Sequence, residues 1–207
     1  MVTEQVINRI YGKKRGWCFT PKDFLDLGSQ EAVWQTLSRL VEKGLIRKVL
    51  RGVYEYPVKS RIQEGYVSPS PDTVAQAIAR TNGWTILPDE NTAMTILGLT
   101  TQISARWIYL TDGPNKKYSM DTLTIEFKRA PLRETSKLSR NSAILVHGIK
   151  GLGMDHINDE SLNKLAAYLP PSGWKKTIQE CRIVNGWVLE TIKKAAAISC
   201  SMEAGND

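Results

Sequence analysis

The stretch Ser29 to Pro57 is the most constraining feature of the chain: a helical pattern closed by glycine runs directly into two β-rich segments joined across two residues. Projected at about 100° per residue, Gln30 to Lys43 places Val33, Thr36, Leu37 and Leu40 on one side, with Val41 at its margin. Glu31, Gln35, Ser38, Arg39 and Glu42 fall on the opposite side. The first set packs inward and the second faces solvent. Gly44 ends the helix, and Leu45 to Leu50 and Val53 to Tyr56 then read as a hairpin across Arg51 and Gly52, closed by Pro57.

Two further helices precede this one. Thr3 caps a helix whose apolar positions Val6, Ile7, Ile10 and Tyr11 follow helical spacing up to Gly12. Thr20, Pro21 and Asp23 supply an N-cap hydroxyl, a proline at the first helical position and a carboxylate in the first turn of a second helix, expected to reach about Leu27. Gly28 offers a left-handed stop and Ser29 a new cap, so only a tight turn separates the second helix from the third. Three helices and a hairpin within residues 1–60 are the pattern of a winged helix-turn-helix.

The polar side of the third helix carries side chains that hydrogen-bond base edges or phosphates, and Arg47, Lys48 and Arg51 make the hairpin a cationic flap beside it. The expected contacts to double-stranded DNA are Ser29, Gln30, Gln35, Ser38, Arg39, Lys43, Arg47, Lys48 and Arg51. Trp34, next to that side, suits half-buried packing and DNA contact alike. Charge placement agrees with a DNA-binding first third: residues 1–60 hold 11 Lys or Arg against 6 Asp or Glu, residues 61–207 hold 17 against 15. A protein-interaction module built on the same architecture stays open.

The SPSPD stretch at 68–72 marks a linker or domain edge. Helices are expected over Asp72 to Arg80 and Asn91 to Leu97, the latter ended by Gly98. Strands are expected over Trp84 to Leu87, Trp107 to Leu110 and Leu123 to Phe127, the last two bridging a turn through Asp112, Gly113 and Pro114. Ala143 to Val146 suits a buried strand, but Leu138, Leu145, Ile149 and Leu152 favour a helix ended by Gly153. Ser161 to Leu169 and Cys181 to Ile198 read as helices, and residues 201–207 as a frayed tail. The expected fold class is α+β: a winged helix-turn-helix over 1–60, then a mixed α/β domain over 61–200 with a helical C-terminal layer.

No catalytic or cofactor pattern stands out. His147 and His156, nine residues apart, lack the i, i+4 spacing or cysteine partner of a metal site. Gly148, Gly151 and Gly153 lack the lysine and hydroxyl of a phosphate loop and are expected to punctuate a turn. The pairs Asp89 with Glu90 and Asp112 with Asp121 suit helix capping and turn solvation rather than acid-base work. Cys18, Cys181 and Cys200 form no CxxC pair and read as buried or idle thiols. With no signal-peptide pattern and no apolar run long enough to span a bilayer, a cytoplasmic, non-enzymatic protein without cofactor is expected.

Two segments carry a resemblance to a known group. LSRLVEKGLIRKVLRGVYEYP, residues 37–57, resembles the winged-helix signature at the head of the AbiEi-type antitoxins of bacterial type IV toxin-antitoxin and abortive-infection systems. TVAQAIARTNGWTILPDENTAMTILGLTTQISARWIYLTDGPNKKY, residues 73–118, resembles that family's second region, with LGLTTQ and YLTDGP as its more specific marks. The likeness covers about residues 3–135 and fades beyond about 140. It implies an autorepressor that binds repeats in its own promoter, and a second domain that counters a cognate nucleotidyltransferase-like toxin.

Overall fold

Helix α1 (Val2–Gly12) buries Val6 and Ile10, and helix α2 (Gln30–Glu42) buries Val33, Thr36, Leu37 and Leu40, the stripe that its periodicity predicts. The computed structural model describes residues 2–62, 64–102, 104–131 and 138–204. The fold is α+β, and the chain divides into two units, Met1–Thr85 with Ser119–Ile125, and Ile86–Tyr118 with Glu126–Asp207.

In the first unit, the expected second helix is a single 3-10 turn, Pro21–Phe24. The Thr20 N–H donates to the Asp23 carboxylate at 2.8 Å, which starts the turn as foreseen. An α-helix would next need the Asp23 carbonyl to accept from Leu27, but Arg9 donates to that carbonyl at 2.7 Å, and Leu27 N–H goes to Phe24 instead. Gly28 is not in the left-handed region: a Cβ there would lie 2.9 Å from Val2, so its role is close approach to the start of α1. Ser29 caps α2 by accepting from the Ala32 N–H at 3.3 Å.

Strands β2 (Arg47–Leu50) and β3 (Val53–Glu55) form the expected antiparallel hairpin, turning through Arg51 and a left-handed Gly52 (φ +78°). A strand absent from the sequence reading, β1 (Cys18–Phe19), pairs with the other edge of β3 and gives the order β1-β3-β2. Two residues are too few to show a period-2 pattern. The core joins Val6, Ile10, Phe19, Phe24, Val33, Leu37, Leu40 and Ile46. The unit continues past residue 60, the expected end of the first domain, and past the SPSPD stretch at 68–72, because helix α3 (Pro71–Asn82) is bound into it: Arg80 pairs with Asp23 at 2.7 Å, and the Thr20 and Thr81 hydroxyls meet at 2.6 Å.

A four-stranded sheet has the order β4-β5-β7-β6, with β4 (Ile86–Pro88), β5 (Arg106–Thr111), β6 (Lys116–Met120) and β7 (Leu123–Arg129). The sequence reading placed a turn leading straight from β5 to β7 and missed β6, whose KKYSM offers only two alternating apolar positions, Tyr118 and Met120. In the second unit, the buried Glu126 of β7 is met by Arg106 at 3.0 Å and Lys117 at 3.1 Å. The Arg106 hydrogen bond, then that of Lys117, holds its carboxyl below the usual range.

Helix α4 (Glu90–Ile96), capped by Asp89 at 2.8 Å, packs on helix α5 (Arg140–Leu152), which is the helix favoured over a strand for this stretch. Gly148 and Gly151 lie inside α5 rather than in a turn, and only Gly153, at φ +81°, ends it. A Cβ on Gly148 would lie 2.3 Å from Leu97, and one on Gly151 would lie 2.9 Å from Glu90 Cβ and 3.2 Å from its carbonyl oxygen. The glycines are therefore where the two helix backbones approach.

Helices α6 (Asp159–Ala166), α7 (Pro171–Glu180) and α8 (Gly186–Ala204) complete the unit around Leu145, Ile149, Leu165, Trp174, Val188 and Ile192. Helix α7 was not anticipated, Cys181–Ile183 is a 3-10 turn rather than the start of α8, and α8 runs on through Ser201 to Ala204. The remainder of the expected tail, 205–207, lies outside the described residues. His147 Nδ1 bonds the Pro88 carbonyl at 2.7 Å, and burial lowers its pKa, whereas His156 is exposed. Among the described residues no group of three or more His, Cys, Asp or Glu is arranged to hold a metal, and no helix is long and apolar enough to cross a membrane.

Gly to Ala in a helix interior ordinarily gains about 1 kcal/mol. Gly151→Ala instead has to push the Glu90 backbone away, so it is expected to lose about 1 kcal/mol net, read as a lower urea midpoint at unchanged slope.

Candidate nucleic-acid interface

Burial of one side of α2 leaves the other as an open face whose side chains frame a shallow groove on that one helix, lined by Gln30, Glu31, Trp34, Gln35, Ser38, Arg39 and Glu42. Four of the nine expected contacts, Gln30, Gln35, Ser38 and Arg39, are thus brought together on one surface. Ser29 lies just before it with its hydroxyl engaged as a cap, and Lys43 sits at the C-cap. Lys48 and Arg51 are exposed on the hairpin. No ion pair or side-chain hydrogen bond joins Arg39, Lys43, Lys48 or Arg51 to another described residue.

Arg47 is different. Its Nε donates to Glu55 at 2.6 Å, an Nη donates to the Val67 carbonyl, and the guanidinium lies 5.8 Å from the centre of the Tyr66 ring. The Glu55 side chain is only 3% exposed, so Arg47 supplies the charge partner of a buried carboxylate and ties β2, β3 and the following segment together. This pairing follows from register: Arg47 and Glu55 are directly opposed across the hairpin, while Lys48 opposes Tyr54 and points its charge elsewhere.

The electrostatics of the groove are not those of a simple basic patch. Within it a single cation, Arg39, faces two carboxylates, Glu31 and Glu42, with Trp34 at its edge, 57% exposed. Part of the N-terminal basic excess is also taken up internally, since Arg9 grips Asp26 through two bonds of 2.6 and 2.7 Å. The free cations Lys43, Lys48 and Arg51 lie outside the groove, at the helix end and on the hairpin.

Sequence reasoning also missed a small antiparallel arm after β3, where Lys59 bridges Tyr66 and Val67 N–H bonds the Val58 carbonyl at 2.9 Å. It presents exposed Lys59 and Arg61 with Ile62 at 99% exposure. The available signal was Gly65 between two short β-prone pieces, too brief for a period. In the second unit, a smaller pocket of about 370 Å³ gathers Asp89, Glu90, Asn91, Leu110, His147, Lys150 and Gly151. Asp89 is engaged as the cap of α4 and His147 Nδ1 at Pro88, so these two side chains hold the fold.

Arg47→Ala strands the Glu55 carboxylate and is expected to lower unfolding free energy by about 2 kcal/mol. Lys48→Ala and Arg51→Ala, which break nothing among the described residues, should stay within about 0.5 kcal/mol of the parent in the same urea titration.

No curated protein matches the chain. It is similar to the crystal structure of the RV2827C protein from Mycobacterium tuberculosis, with 13% identity, 96% of this chain and 80% of that chain covered, and a TM-score of 0.39. A family model matches residues 5–176, most of the chain, and by that match the chain belongs to DUF6088, a family of unknown function.

Proposed function

We propose that the chain is an antitoxin and autorepressor of a type IV toxin-antitoxin operon. In this reading Met1–Thr85 contains a winged helix-turn-helix that binds double-stranded operator DNA, and the second unit counters a nucleotidyltransferase-like toxin. The protein works in the cytoplasm and needs neither cofactor nor catalytic step. The observation that carries the DNA-binding part is the exposed polar face of α2 beside a hairpin whose Lys48 and Arg51 are free to meet phosphates.

The antitoxin part is supported by the likeness of LGLTTQ and YLTDGP to the AbiEi-type family. Residues of both marks serve the fold: Gly98 turns the chain at φ +66°, Tyr109 is fully buried against Phe127, and the Thr111 hydroxyl accepts from Gly113 N–H at 3.0 Å. Shared marks of this kind speak first for a shared fold, and the toxin-countering role is carried over from the family that bears them. A second reading, protein docking on α2, is favoured by the exposure of Trp34 and by the two glutamates in the groove.

Binding to the DNA upstream of its own gene, followed by fluorescence anisotropy over a salt series, separates the two. The double variant Lys48→Ala with Arg51→Ala should bind roughly tenfold more weakly and lower the salt slope by about 1.8, two phosphate contacts' worth. Unchanged affinity and slope would reject the hairpin as a phosphate contact. Co-expression with the adjacent gene tests the antitoxin part: rescue of growth is expected, and persistent arrest would count against it.

A further inference from the structure

Resting on the DNA-binding reading, we infer that α2 reads a mixed base sequence in the major groove, with Arg39 recognising a guanine, Gln35 an adenine and Glu31 a cytosine. Glu31 and Glu42 are acceptors only and are repelled by phosphates, so this face, with Arg39 as its one cation, is poorly suited to lie along a DNA backbone. Phosphates are better met by Lys43, Lys48 and Arg51, which lie beyond the groove and are free of described partners, with Lys59 and Arg61 exposed on the arm that follows.

The centre of the helix face then turns to base edges, where its hydrogen-bonding groups have specific complements. Arg39 is an exposed fork of donors with no described side-chain partner, matching the two acceptors O6 and N7 of guanine. Gln35 offers one donor and one acceptor, the pair that N7 and N6 of adenine require. A carboxylate at position 31 is satisfied only by an exocyclic amine, and cytosine N4 is the one whose own base sets no acceptor beside it, whereas adenine N6 has the acceptor N7 next to it to repel the carboxylate. The three residues are four apart, about 6 Å of helix rise per step, so with base pairs about 3.4 Å apart they address a site of about four base pairs. Trp34, on the flank of the same face, has an apolar ring to set against a thymine methyl.

The test is selection of the full chain against a randomised DNA duplex library, repeated with Arg39→Ala, Gln35→Ala and Glu31→Gln. All three side chains are exposed, and thermal melting of each variant checks that the fold is retained. The parent should enrich a short motif containing G, A and C. Arg39→Ala should relax the guanine position and Gln35→Ala the adenine position, each by roughly 5- to 150-fold in discrimination. Glu31→Gln should convert the cytosine preference to adenine, which a merely structural residue would not do. A motif enriched by the parent but unchanged in all three variants would overturn the base assignments while leaving DNA binding standing. Salt-sensitive binding with no motif would overturn them in the same way. Absence of binding to any duplex would overturn the DNA-binding reading itself.

Discussion

Burial of the α2 stripe is the interaction from which the rest of the first unit follows. Val33, Thr36, Leu37 and Leu40 close against Val6 and Ile10 of α1 and the rings of Phe19 and Phe24. Full burial of each large apolar side chain is worth about 1.5–3 kcal/mol, so the helix has one strongly preferred rotation about its axis. That rotation alone determines which residues are left in solvent. Gln35, Ser38 and Arg39 share a surface with Trp34 because no other orientation hides the leucines and valine.

Charge is apportioned by distance rather than by count. Arg9 with Asp26, Arg80 with Asp23 and Arg47 with Glu55 are spent on holding elements together, and each joins residues well apart in the chain or on different strands. What remains for a partner includes Lys43, Lys48 and Arg51 at the end of α2 and on the hairpin, and Lys59 and Arg61 on the arm beyond it. In the proposed reading these cations supply salt-dependent affinity, while the near-neutral groove supplies discrimination, a division in which positioning and specifying contacts come from different side chains. The second unit solves a different problem, closing α4 on α5 through Gly148 and Gly151 and bracing three strands with one buried carboxylate, Glu126, between Arg106 and Lys117.

Features that live within a few residues were legible in the sequence. The α2 stripe, its Ser29 cap, the Gly44 stop and the Arg51–Gly52 turn were all readable, as were α4 ending near Gly98 and α5 at Gly153. Spacing, capping and turn chemistry are set by near neighbours and survive transfer into the fold. Most of the failures share a cause as well. The 3-10 turn at Pro21–Phe24 does not grow into a helix: the Asp23 carbonyl accepts from Arg9, 14 residues earlier, and the Leu27 N–H bonds Phe24 instead. The short strands β1 and β6 exist only through their pairing, whereas α7 did carry a local pattern, with Pro171 in its first turn and Trp174, Thr177 and Ile178 at helical spacing.

The candidate site divides along the same line. Sequence by itself determined the composition and angular order of the α2 face and the presence of three cations on the hairpin, because helical and strand periodicities are local. Only tertiary structure decided that Arg47 is consumed by a buried Glu55 while Lys48 and Arg51 stay free, that Gly148 and Gly151 are helix-contact residues, and that α3 belongs with the first unit. Which partner a side chain takes depends on what the rest of the chain brings within about 4 Å of it, and no local pattern encodes that distance.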